Sequence, residues 1–175
     1  MKVFVAIPTV LVFVGLSICQ NTCTADDVLN SLNAVEHYAD KMQSVTDSSS
    51  DNIDPSAPIF KNFESQTKHF NEDLQCTFNT TPVEQTAICS AYEKFAMSQL
   101  GYLHVADGRA FYEKNGHGDN AVKMHGYILQ SQHALENYTI QAKAAAASCV
   151  DRIETAYTPL GRQLKRLLEA YPGTA

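Results

Sequence analysis

The chain has 175 residues, nearly half of them hydrophobic, and its 13 basic and 19 acidic side chains give a formal charge of −6. That length suits one domain, and a mildly acidic chain without a dense Lys/Arg run is a poor partner for nucleic acid or an anionic membrane. Beyond the N-terminal run no stretch is long and apolar enough to cross a bilayer, so the mature chain is not expected to be an integral membrane protein.

The N-terminus carries Lys2 and then the apolar run VFVAIPTVLVFVGL. The run is too short for a spanning helix and fits a secretory signal peptide. Ser17 and Cys19 are small residues at the −3 and −1 positions of a cut before Gln20, so residues 1–19 are expected to be removed. Loss of Lys2 leaves 12 basic and 19 acidic residues, a formal charge of −7. Cys19 leaves with the signal, and Cys23, Cys76, Cys89 and Cys149 remain. An even set in an oxidising compartment reads as two disulfides, and no C-x-x-C spacing suggests zinc or redox chemistry. The sequons Asn79-Thr80-Thr81 and Asn137-Tyr138-Thr139 agree with a secreted glycoprotein, with Asn79 and Asn137 as the candidate acceptors. Pro82 lowers the chance that the first is used.

Helical periodicity recurs along the rest of the chain, and no alternating strand pattern stands out. Thr24 is a good N-cap with Asp26 and Asp27 in the first turn, and Val28, Leu32, Val35, Ala39, Met42 and Val45 follow as an amphipathic stripe. The Ser/Asp/Pro-rich stretch 46–58 reads as a loop. A second stripe, Ile59, Phe63, Phe70 and Leu74, ends near Cys76.

TTPVE marks the next start: Thr81 as N-cap, Pro82 at the first helical position and Glu84 placed to close a capping box. A helix from there to about Lys114 has Ile88, Tyr92, Phe95, Tyr102 and Ala106 on its main face, with Met97, Leu100 and Phe111 on the opposite side. NGHGD, at 115–119, is expected to turn the chain, with Asp119 capping a helix over 120–157. His125, Ile128, Gln132, Leu135 and Ala142 fall near its inner face, and Asn137 points away. Thr158-Pro159 is expected to break this run before a short last helix with Leu160, Leu164, Leu167 and Leu168 inward and Arg162, Lys165 and Arg166 outward.

The cysteines link these elements. In an antiparallel helical pair, residues equidistant from the turn lie side by side. Cys89 and Cys149 are centred on residue 119, and Cys23 and Cys76 on the Ser/Asp-rich loop. The predicted pairs are Cys23–Cys76 and Cys89–Cys149, with Cys76–Cys89 plus Cys23–Cys149 as the rival. The expected fold is all-α: two antiparallel helical hairpins forming a disulfide-stapled four-helix bundle over residues 20–175, plus a short C-terminal helix.

Histidine clustering at His117, His125 and His133 raises the question of a metal. Zinc needs about four converging ligands, yet the i, i+4 histidine spacing is absent, so no metal or cofactor is expected. The alanine run AAAA at 144–147, with Gly101, Gly108 and Gly126, suggests close helix packing, or a hollow for an apolar ligand. No H-E-x-x-H, G-x-S-x-G, phosphate loop or dinucleotide motif occurs, and the cysteines are committed to bridges, so no enzyme is expected.

Plant inhibitors of pectin methylesterase and invertase are also secreted helical proteins with four cysteines, but here 52 residues separate Cys23 from Cys76 where they carry a short N-terminal pair. Insect odorant-binding proteins need six tightly spaced cysteines. The expected function is therefore argued from the residues: a secreted, non-enzymatic protein that binds an extracellular protein partner, with Met97, Leu100 and Phe111 as candidate partner- or ligand-facing residues. The alternative is a carrier of a small apolar, lipid-like ligand held by the alanine- and glycine-rich helices.

Overall fold

Two helix starts are decided within four residues each. Before α1 (Ala25–Ser48), Thr24 Oγ1 accepts from the Asp27 backbone N–H at 3.3 Å, while the Thr24 backbone N–H donates to Asp27 Oδ2 at 2.8 Å. Before α2 (Pro82–Gly116), the Thr81 backbone N–H and hydroxyl donate to Glu84 Oε2 at 2.6 and 2.7 Å. These reciprocal bonds satisfy amides that the first turn leaves without partners. They also hold the carboxyls of Asp27 and Glu84 below the usual range, chiefly through the backbone N–H of Thr24 and of Thr81.

The computed structural model describes residues 22–48, 77–116 and 118–171, with Lys61, Glu64, Ser65 and Gly173. The chain is mostly helical there. In order it forms β1 (Thr22–Cys23), α1, β2 (Thr77–Phe78), α2, α3 (Gly118–Ala145), a 3-10 turn (Ala147–Cys149) and α4 (Val150–Ala170). Most of the predicted second stripe over 59–76 lies outside the described residues, although Lys61, Glu64 and Ser65 are helical; most of the predicted loop, the signal segment 1–19 and Cys76 also lie outside them.

Several expectations change. A two-stranded sheet is present: β1 and β2 pair in parallel, Thr22 with Thr77 and Cys23 with Phe78. Two residues are too few for an alternating pattern to register in sequence. Residues 46–48, assigned to the loop by composition, continue α1. Gly116 still belongs to α2 and Gly118 already to α3, so the expected five-residue turn is shorter, and Asp119 falls inside the first turn of α3.

The largest change lies further on. The predicted 120–157 helix stops at Ala145, and the chain turns through Ala146 (φ −134°, ψ 59°) and Cys149 (φ −135°, ψ 34°). Alanine strongly favours helix, but here tertiary contacts win. Ala145 and Ala146 are fully buried, Thr80 Oγ1 donates to the Ala145 carbonyl at 2.6 Å, and the Ser148 N–H donates to Gln85 Oε1 at 2.9 Å. A disulfide joins Cys149 to Cys89 with Cα atoms 6.5 Å apart.

The last helix is correspondingly long, 21 residues, and Pro159 sits inside it instead of breaking it. An interior proline removes one i→i−4 bond and costs about 3 kcal/mol. Burial offsets this: Ile153 before the proline and Leu160, Leu164 and Leu167 after it lie on one buried face.

Among the described residues α2 packs against α1, α3 and α4. α3 meets it through Tyr138, which lies edge-on to Phe95 with ring centroids 5.5 Å apart. α4 runs in the same direction as α2: Arg152 meets Glu93 and Arg166 meets Asp107, both 59 residues apart. α1 reaches α2 through its Val35 carbonyl, which accepts from Gln99 Nε2 at 3.5 Å, and α3 through Ser31, which accepts from Tyr138 at 2.9 Å. Tyr92, Phe95, Tyr102, Met124, Ile128 and Leu164 lie in the core among these helices.

A candidate binding groove between α2 and α4

The shared direction of α2 and α4 leaves a groove between them on the solvent side, about 490 Å³ in volume. Ala96, Met97 and Leu100 line it from α2, and Ala156 and Pro159 from α4. Ala96 and Ala156 are small, while Met97 and Leu100 are the longer apolar side chains in the lining. Met97 is 75 % exposed, an unusual position for a large apolar side chain. A methionine thioether is soft and adaptable, which suits it to a contact surface.

One end of the groove is closed by charge. Arg152 Nε and Nη2 donate to Glu93 Oε1 and Oε2 at 2.9 and 2.8 Å, and Nη2 also reaches Ser90 Oγ at 3.3 Å. This two-pronged geometry is the strong form of the Arg–carboxylate pair, and it holds the Glu93 carboxyl below its usual range. Asp151 lies beside the pair.

The other end differs. A second depression shares Leu100 and Pro159 with the groove and is lined further by His104, Arg162, Gln163 and Arg166. Arg166 Nε lies 3.0 Å from Asp107 Oδ2 as an ion pair, and Arg162 is exposed. Gln163 is 94 % buried, and its Nε2 has no hydrogen-bond partner among the described residues. An unmet buried amide costs about 1–3 kcal/mol.

The wall carries one more polar feature. Pro159 has no N–H to offer the Thr155 carbonyl, so the helical bond at that step is absent. The Thr155 hydroxyl itself is spent on the Asp151 carbonyl at 2.7 Å. Among the groups that line the groove, none is a nucleophile beside a base. The lining is suited to bury apolar surface and pair charges at its ends.

The structure brings Met97 and Leu100 together on this groove, whereas the side chain of Phe111 lies outside the described residues. Leu100 is half-buried and only Met97 stands out, because α4 lies against the same side of α2. Sequence reasoning does not reach Glu93, Arg152, Ala156 or Pro159, since Thr158-Pro159 reads locally as a helix end. The repeated 59-residue offset of opposite charges was the available signal.

The other candidates sit elsewhere. Asn79 and Asn137 are both exposed. Cys23 is disulfide-bonded. His133 is exposed beside Glu136 at 3.9 Å, His125 Nδ1 bonds the Tyr171 carbonyl oxygen, His104 is exposed, and His117 lies outside the described residues. Among the described residues no three His, Cys, Asp or Glu side chains gather as a metal site. No described helix is long and apolar enough to cross a membrane. The glycine reading changes too: a Cβ at Gly108 or Gly126 would meet nothing within 4 Å, so neither serves close helix packing.

No family model, curated protein or solved structure matches the chain. Its function has to be argued from the groove.

Proposed function

We propose that this chain is a secreted, non-enzymatic protein that binds another extracellular protein through the α2–α4 groove. In this reading residues 1–19 direct export, and the helices form a bundle held by Cys89–Cys149 and Cys23–Cys76. The Cys89–Cys149 bridge ties the start of the α4 wall to α2. The observation that carries the reading is Met97, 75 % exposed on an apolar groove between two rigid helices. Interface cores favour apolar anchors of this kind, methionine among them, ringed by polar side chains.

The test uses a photo-crosslinking residue at position 97, with another at Ile140 on α3, which is also exposed at 59 %. The protein is returned to the extracellular fluid of its source. Expected is a protein adduct at 97 but not at 140, competed by the unlabelled chain and not by Met97→Glu. The carrier reading would win if no adduct formed and organic extraction of native protein released one lipid per chain.

A further inference from the structure

The geometry points to one kind of occupant for this groove: an amphipathic α-helix of the partner, with carboxylates at the end that lies over Arg162, Gln163 and Arg166. This rests on the function proposed above and names its partner chemistry. Three observations carry it: length, charge at the ends and openness.

From Asp151 to Arg166 the α4 wall spans about 22 Å at 1.5 Å per residue, so a helix of about 15 residues matches it. The small Ala96 and Ala156 flanked by Met97 and Leu100 form the kind of depression that receives the apolar ridge of another helix.

The two ends differ in charge. One holds Glu93, already engaged by Arg152, and Asp151. The other holds the exposed guanidinium of Arg162, the Arg166–Asp107 pair and His104. A carboxylate there would gain the exposed Arg162 guanidinium as a charged partner, in a protein whose net charge is otherwise negative.

The same features disfavour a single-headed lipid. Its tail would end against Glu93, Arg152 and Asp151, and its outer side would stay in water, because the groove is open at Met97. A helix has a polar face for that side and charged residues for both ends.

The experiment measures fluorescence anisotropy of three synthetic 15-residue helices on the full disulfide-bonded chain. The first has leucines at i, i+3, i+7 and i+11 with two glutamates at one end. The second replaces the glutamates by lysines, and the third replaces the leucines by serines. Expected is binding of the first, weaker binding of the second by about tenfold or more, and none of the third. Arg162→Glu should reverse the preference between the first two, and Met97→Lys should abolish both. These residues are exposed, so circular dichroism melts should not move. Equal binding of the glutamate and lysine helices, no binding of any, or displacement of a bound helix by oleate insensitive to Arg162→Glu would each overturn the assignment. A crosslinked protein at position 97 would survive the first two of those results, which separates this failure from that of the function itself.

Discussion

His125 and Tyr171, 46 residues apart, are joined by a hydrogen bond from the ring Nδ1 to the main-chain carbonyl oxygen at 2.7 Å. A carbonyl only accepts, so Nδ1 carries the proton. Tyr171 is fully buried, and its hydroxyl donates to the Ala106 carbonyl on α2 at 3.3 Å. Gly173 passes so close to the imidazole that an added Cβ would come within 2.9 Å of it. The end of α4 is thus pinned to α2 and α3 together.

Tyr171→Ala should accordingly destabilise by about 3 kcal/mol or more, as large-to-small changes in a closed core do. Tyr171→Phe, which keeps the ring, should cost about 1 kcal/mol. Urea unfolding midpoints of the two variants would check both the size and the order of these losses.

The Cys89–Cys149 bridge closes a separation of 60 residues. Replacing both cysteines by alanine should lower stability by about 4 kcal/mol through the freed entropy of the unfolded chain. Because Cys149 also anchors the turn into α4, the variant should lose anisotropy signal in the groove assay. Peptide mapping without reduction should recover Cys23 with Cys76, and a Cys76–Cys89 peptide would refute that pairing.

Alkaline pH should weaken the fold. Burial pushes the Tyr92 phenol far above its ordinary value, and burial followed by the charges of Glu136 and Glu154 pushes Tyr157 up to about 12. Raised phenol values favour the neutral form in the native state. The corresponding stability is present below about pH 10, where free tyrosine titrates, and is lost as pH rises through the native values. In Tyr92→Phe that decline should be shallower. The Thr139 hydroxyl donates to Leu135 O, so Tyr92 must be the donor in their 2.7 Å contact. Its removal costs about 1 kcal/mol at neutral pH. Thermal melts across pH 7 to 11 would expose a flat or rising profile if the assignment is mistaken.

Pro159→Ala should raise stability by about 1–3 kcal/mol, since it supplies the N–H donor that the Thr155 carbonyl lacks within α4. Far-ultraviolet circular dichroism should show no loss of helix. A net destabilisation would mean that the ring's contacts in the groove outweigh the missing bond.

Much of the local structure was legible in the chain. The Thr24 and Thr81 caps, the inward Ile88–Tyr92–Phe95 face and the outward Asn137 follow from spacing and side-chain chemistry within a turn or two. Met97 could be singled out as facing away from the main stripe, but not as the crest of a groove. That depended on where α4 lies.

An all-α chain with these caps and stripes could be read from residue order alone, because caps and amphipathic faces are settled by neighbours three or four positions away. The break at Ala146, the passage of α4 through Pro159 and the groove itself could not. Local propensity favours a continuous helix at the alanines and an end at the proline. Contacts spanning about 60 residues, among them Cys89 with Cys149 and Glu93 with Arg152, outweigh both preferences, and such contacts exist only once the chain has folded.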